Sequence, residues 1–396
     1  MRLSRRLRPV LVTFTCALVL GAASSPPQRA VSEPTSGAGW LELRQRERLL
    51  QEKQWAEELR DRKTADAIDA ILKDPLKWQQ ARADLLATLT GRQTSLKELN
   101  LPTRYEDPIA YTILKRATAV VQAGNVPKFF NVNPLYGTST GGTFHALTKL
   151  VCPSSDYVIL FHRQLFSLAR FFTTMFLAAD GRSIVLRPDL IALVQNGLLA
   201  YLLEGDIDNV QVPILTDDAQ RRAGFMLTVI EGFVVAHEHA HITGRHFTPC
   251  GVNANRAVGA DLRYEQSQEY SADGLAFTQM LEWAAEKQLN PVNVFLAVDW
   301  QFAVLELLER AGAVLTTGSE EPVPDSPWSD TTHPYIRYRR AYLLTLASKL
   351  LPKEADALNN ASRIASDLRY EMWKASMFKV LEQRQNTRVI SPSVRR

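Results

Sequence analysis

The sequence predicts a mainly helical α+β fold: a helical N-terminal region, a short β-prone stretch supplying a small sheet, and a long helical C-terminal half. Three observations carry this. Residues 40–98 are dense in Leu, Ala, Glu, Lys, Arg and Gln, the residues that lose least on entering a helix. Residues 101–153 loosen into short runs separated by Gly- and Thr-rich turns, the pattern of strands and loops. From Asp217 onward, apolar residues recur at spacings of three and four, with breaks near Pro249, Pro291, residues 318–327 and Pro352. At 396 residues, 46% hydrophobic and 22% charged, the chain is long enough and apolar enough to bury a substantial core, and it shows no internal repeat.

Residues 1–30 read as an export signal and linker. Arg2, Arg5, Arg6 and Arg8 come without an acid, and Val10 to Ala23 is almost wholly apolar or small. That apolar stretch of about 14 residues is short for the roughly 20 of a membrane helix. The expectation is a chain exported to the periplasm or outside, with an uncleaved N-terminal anchor as the alternative and the only membrane attachment. The four arginines equal the whole formal charge of +4, so the basic balance gives no reason to expect a nucleic-acid partner. Of the three cysteines, Cys16 falls in the signal; Cys152 and Cys250 either pair in an oxidising compartment or stay separate buried thiols.

Residues 31–100 form the helical N-terminal region. Leu41, Leu49, Leu50, Trp55 and Leu59 make a loosely periodic face among Arg44, Arg46, Glu47, Glu52 and Lys53, which reads as a solvated helical collar. The main domain follows over 101–352. Within it Ala117 to Gln122 and Lys128 to Asn133 read as strands, residues 137–142 as turns, Tyr157 to Phe161 as a strand, and Leu165 to Ala179 as a helix. Residues 353–396 are a C-terminal helix and tail.

The chemistry lies in His237-Glu238-His239-Ala240-His241, an HExxH match. On a helix His237 and His241 sit one turn apart on one face, so both imidazoles reach one ion while Glu238 flanks it. Met226, Ile230, Phe233 and Val234 lead into the histidines at helical spacing, and His239 falls on the opposite side. In an extended segment His237, His239 and His241 would instead share one face as an HxHxH cluster. A third ligand comes 28 residues after His241, in Glu269-Tyr270-Ser271-Ala272-Asp273, where Glu269 and Asp273 share a helical face. Glu269 would complete a His2Glu set for one Zn2+, with Asp273 accepting the free N–H of a liganding imidazole. Glu238 is then the general base that takes a proton from water.

These motifs resemble those of the gluzincin metallopeptidases, most closely the CAAX prenyl endopeptidase-like family and its soluble envelope relatives. HExxH is followed there by a histidine five residues on, as His246 is here, then by ExxAD, as at Glu269 to Asp273, and by His-Pro with an arginine five residues later, as at His333, Pro334 and Arg339. The resemblance implies a zincin-like domain with an HExxH active-site helix and a zinc metalloendopeptidase acting on polypeptide. It also implies that His333 or Arg339 steadies the oxyanion, with Tyr335 a weaker candidate, and that the Tyr157 to Phe161 strand is an edge along which peptide pairs. Two other functions fit the same residues: a zinc-stabilised envelope chaperone or assembly factor that holds partners uncut, and a non-peptide metallohydrolase built on the HxHxH cluster.

Overall fold

The computed structural model describes residues 34–58, 60–123, 133–140, 146–152, 154–179, 187–247, 262–320 and 334–386. The N-terminal signal, residues 128–132 of the second expected strand, Cys16, Cys250 and His333 lie outside the described residues.

The chain is mostly helix around a small sheet, as the α+β reading expects. Five helices come first: α1 (Gly37–Glu58), α2 (Arg62–Lys73), α3 (Pro75–Thr90), α4 (Leu96–Leu99) and α5 (Pro108–Ala123). Strands β1 (Leu135–Ser139), β2 (Ala146–Val151) and β3 (Asp156–His162) follow, then α6 (Arg163–Ala178) and α7 (Pro188–Leu199). The C-terminal half is α8 (Asp217–Thr243), α9 (Leu262–Glu286), α10 (Pro291–Thr317), α11 (Ile336–Leu350) and α12 (Ala355–Asn386). Helix boundaries follow local chemistry. Asp61 and Thr216 accept from the backbone N–H three residues on, Pro75 and Pro291 occupy first turns, and Gly91 and Gly318 end helices at positive φ.

The strands run in the order β1-β3-β2, with β1 parallel and β2 antiparallel to β3. Tyr157 to Phe161 is therefore the centre of the described sheet, and the expectation of an edge there is corrected: β3 pairs on both sides, and β2 is an edge. Ala117 to Gln122 is not a strand but the last turns of α5. Its β-branched Thr118, Val120 and Val121 suggested a strand, whereas Ala110, Leu114, Ala117 and Val121 bury one face at helical spacing. Gly137 likewise lies in β1 rather than a turn, where a Cβ would come within 3.0 Å of the Leu41 side chain.

The N-terminal helix is more than a solvated collar. Trp40 and Leu41 pack with Val151, Val158 and Leu160 against one side of the sheet. Buried Gln45 donates to Glu106 and to the Thr138 carbonyl, fastening α1 to β1. Charged composition hid this face because only a few of its positions are apolar.

The main core gathers α5 to α12. Helix α10 runs through it, burying Phe295, Trp300, Phe302 and Leu308 and packing on α8, α9, α11 and α12. Among the described residues α10 alone is long and apolar enough to cross a membrane, and most of it is buried inside the fold. Helices α6 and α7 meet at Gly197, where a Cβ would stand 2.3 Å from Phe171 Cζ. Gly197→Ala is expected to lower stability by about 1–3 kcal/mol despite Ala's better helix propensity, because the ring has to move in a packed core. Urea unfolding measures it, and an unchanged or raised midpoint would refute the account.

Candidate metal centre

Helix α8 supplies the first two side chains. It runs 27 residues from its Thr216 cap, with Asp217 and Asp218 beside the positive end of its dipole, so residues 237–241 are in its closing turns. His237 and His241 rise from one face with Nε2 atoms 3.1 Å apart and rings nearly perpendicular at 82°. The extended HxHxH alternative is thereby corrected: the segment is helical, and His239 turns to the other side. There it is buried, stacked on Tyr136 at 5.4 Å between centroids and hydrogen-bonded to that phenol through Nε2. Burial holds its pKa down at about 4.

Helix α9 brings two carboxylates to the same face. Glu269 Oε2 lies 3.4 Å from His237 Nε2, and Glu269 Oε1 lies 3.3 Å from His241 Nε2. Asp273, one turn further along and fully buried, puts Oδ1 3.0 Å from His237 Nδ1. Arg339 enters from α11. Its Nε and one Nη donate to the two Asp273 oxygens at 2.8 and 2.6 Å, and its other Nη is 3.1 Å from Glu269 Oε2. Glu238 accepts a short hydrogen bond from Thr148 Oγ1 of β2. His241 Nδ1 is 2.9 Å from His246 Nδ1. Tyr335 stands at the start of α11, with the Arg337 guanidinium over its ring, and is not among the residues lining the cleft.

The electrostatics of this cluster are unusual for a protein interior. Burial disfavours charge on Asp273, yet Arg339 and His237 hold it below its ordinary range. Burial also works against a charged His237, but the Asp273 and Glu269 carboxylates outweigh it and lift its pKa to about 10. Glu238, Glu269 and Asp273 face the single guanidinium of Arg339, leaving a formal charge of −2 when the imidazoles are neutral. A divalent cation would cancel that charge.

Distances agree with charge. His237, His241 and Glu269 each present a ligand atom within 4.8 Å of the others, so the group could hold a metal ion. Zinc bonds of roughly 2.0–2.1 Å in a tetrahedron set neighbouring ligand atoms about 3.3 Å apart. The two imidazole Nε2 atoms, 3.1 Å apart, come close to that edge, and Glu269 sets one oxygen 3.4 Å from His237 and its other oxygen 3.3 Å from His241. Two imidazole nitrogens and a carboxylate oxygen are also the donor types zinc takes.

The centre opens into a cavity of about 460 Å³. Phe233, Phe302, Leu305 and Ile336 give it an apolar wall, and Ala146, Leu147 and Thr148 of β2 form one rim. Sequence reasoning missed Thr148 and Tyr136, which meet Glu238 and His239 across 90 and 103 residues of chain. No local pattern announces such contacts; the only available signal was the alternation within β2 that turns Ala146 and Thr148 to one face.

Cys152, just past β2, is disulfide-bonded, with its partner outside the described residues. No family model, curated protein or solved structure matches the chain.

Proposed function

We propose that this chain is a zinc-dependent metalloendopeptidase with a zincin-like active-site helix, and that His237, His241 and Glu269 hold the metal. The observation that carries the reading is the convergence of these three ligands, with the Glu238 carboxylate beside them, at the floor of a cleft rimmed by an edge strand. Bound zinc would act as a Lewis acid on the scissile carbonyl and make a water molecule more acidic.

The remaining roles belong to the chain. Glu238 takes a proton from the attacking water onto its carboxylate and returns it to the departing amine, and Thr148 Oγ1 fixes the carboxylate for that transfer. Asp273 sets the orientation of His237. With Nε and both Nη atoms directed at carboxylates, Arg339 is assigned to holding Glu269 and Asp273 in place, instead of the oxyanion role the resemblance implies. An extended peptide would add to the outer edge of β2, which has no neighbouring strand among the described residues, presenting its backbone along the cleft while apolar side chains meet Phe302 and Leu305. The disulfide at Cys152 supports export to an oxidising compartment.

Elemental analysis tests the metal assignment without a known substrate. Wild type is expected to hold about one zinc per chain, and folded Glu269→Ala to lose most of it, since two imidazoles alone make a weak site. Full zinc retention by Glu269→Ala would move the third ligand elsewhere, and a zinc-free wild type would end the reading.

A further inference from the structure

Helix α8 ends in a way that bears directly on His241. The N–H of His246 donates to the His241 carbonyl at 3.1 Å, and that of Arg245 to the Ile242 carbonyl at 3.1 Å. This pair of bonds is a Schellman motif, in which the residue after the cap adopts the left-handed conformation usually left to glycine. Arg245 occupies that place at φ 54°, so the chain turns back sharply in spite of a side chain that disfavours it. The turn throws His246 back over the last helical turn, at the position where such motifs make a contact with the residue five before it. Here that residue is His241, and the contact is between two imidazoles, Nδ1 to Nδ1 at 2.9 Å.

The approach needs space as well as a turn. Gly244 has an ordinary φ of −70°, so no backbone requirement calls for glycine. A Cβ there would fall 2.4 Å from His246 Nε2 and 2.8 Å from two ring carbons, so the missing side chain is what lets the ring lie down. On its far side the segment is held by Phe247, whose ring meets Tyr157 of β3 at 5.9 Å between centroids.

We propose that His246 is a positioning residue for the metal ligand His241, and that Gly244 and the reversed backbone at Arg245 exist to bring it there. The inference rests on the metal reading above. A histidine that ligates through Nε2 carries its proton on Nδ1, so His241 Nδ1–H donates and His246 Nδ1 accepts. The two ligand imidazoles are then oriented by different partners, His237 by the Asp273 carboxylate and His241 by a neutral ring.

Zinc affinity measured by competition with a chromophoric chelator, on the full-length purified protein, tests this. His246→Ala is expected to weaken zinc binding by about 10- to 100-fold, the usual effect of removing such a partner. His246→Asn places Oδ1 where Nδ1 was and should recover most of the loss. Gly244→Ala should weaken binding like His246→Ala by displacing the ring, and the double variant should bind no more weakly than His246→Ala alone. Thermal unfolding of the metal-free proteins shows whether each variant folds. Should His246→Ala fail to fold, the comparison of Gly244→Ala with His246→Asn still decides. Binding by His246→Ala within about twofold of wild type, or no recovery in His246→Asn, overturns the proposal while leaving the metal reading intact. A wild type without measurable zinc affinity overturns both.

Discussion

Glu238→Gln is expected to keep its zinc and lose peptide turnover by about 10²- to 10⁴-fold, the range associated with removing a positioned general base. Size and shape barely change, and Gln matches Glu closely in helix propensity, so α8 should be undisturbed. The amide oxygen can still accept from Thr148 Oγ1, which preserves the side chain's position beside the metal ligands. What disappears is the ability to take a proton from water. The measurement is cleavage of an unfolded protein such as casein, with zinc per chain determined on the same preparation. Undiminished cleavage with zinc retained would sink the mechanism. If a strain lacking the protein is complemented equally by wild type and Glu238→Gln, the function is the non-cutting one of a zinc-stabilised envelope chaperone.

Arg340→Ala should destabilise the fold by about 3–5 kcal/mol, the cost of stranding a buried charge. Arg340 leaves α11 about 100° round the helix from its neighbour Arg339. Its Nε and one Nη grip the two oxygens of Asp299 at 3.0 and 2.8 Å, and its other Nη donates to Glu306 at 3.0 Å. Asp299 is fully buried on α10 and has no water to turn to. Arg369 of α12 reaches the same Glu306 at 3.2 Å, so three helices share one network. Lysine should restore little, because it cannot meet a carboxylate with two parallel bonds. Replacing both partners, as in Arg340→Met with Asp299→Leu, should recover much of the loss, since no charge is then left unpaired. Guanidinium unfolding measures all of these, and a loss below about 1 kcal/mol for Arg340→Ala would show that Asp299 finds another partner.

The group that could hold a metal was legible in the sequence because its rules are local. His237 and His241 are one helical turn apart, and so are Glu269 and Asp273, so each pair needs only a helix to share a face. Arg339 was legible only through resemblance, because it lies among Arg337 and Arg340 in a stretch whose composition suggests exposed surface. That run conceals two buried arginines because successive helical residues point about 100° apart, sending Arg339 to Asp273 and Arg340 to Asp299. Thr148 and Tyr136 were illegible, since sequence pattern gives no information on which strand will lie against which helix. In the N-terminal region the misreading came from composition: Leu41 and Gln45 are interior groups on a helix whose many charged residues all lie outside its buried positions.

The order of the three strands has a consequence for the protein in solution. Among the described residues β2 has one open edge, and such an edge accepts any extended chain with matching backbone groups, including the β2 of a second copy, so the feature proposed to receive substrate is also a route to self-association. Leu147, nearly half exposed, would add an apolar contact to such a pairing, whereas exposed Lys149 two residues later places on the edge a charge of the kind that discourages it. The strand is also short, six residues ending beside the disulfide at Cys152. Occupancy of this edge by peptide would thus compete with dimer and oligomer formation, and crowding of the protein with itself would slow any work done in the cleft.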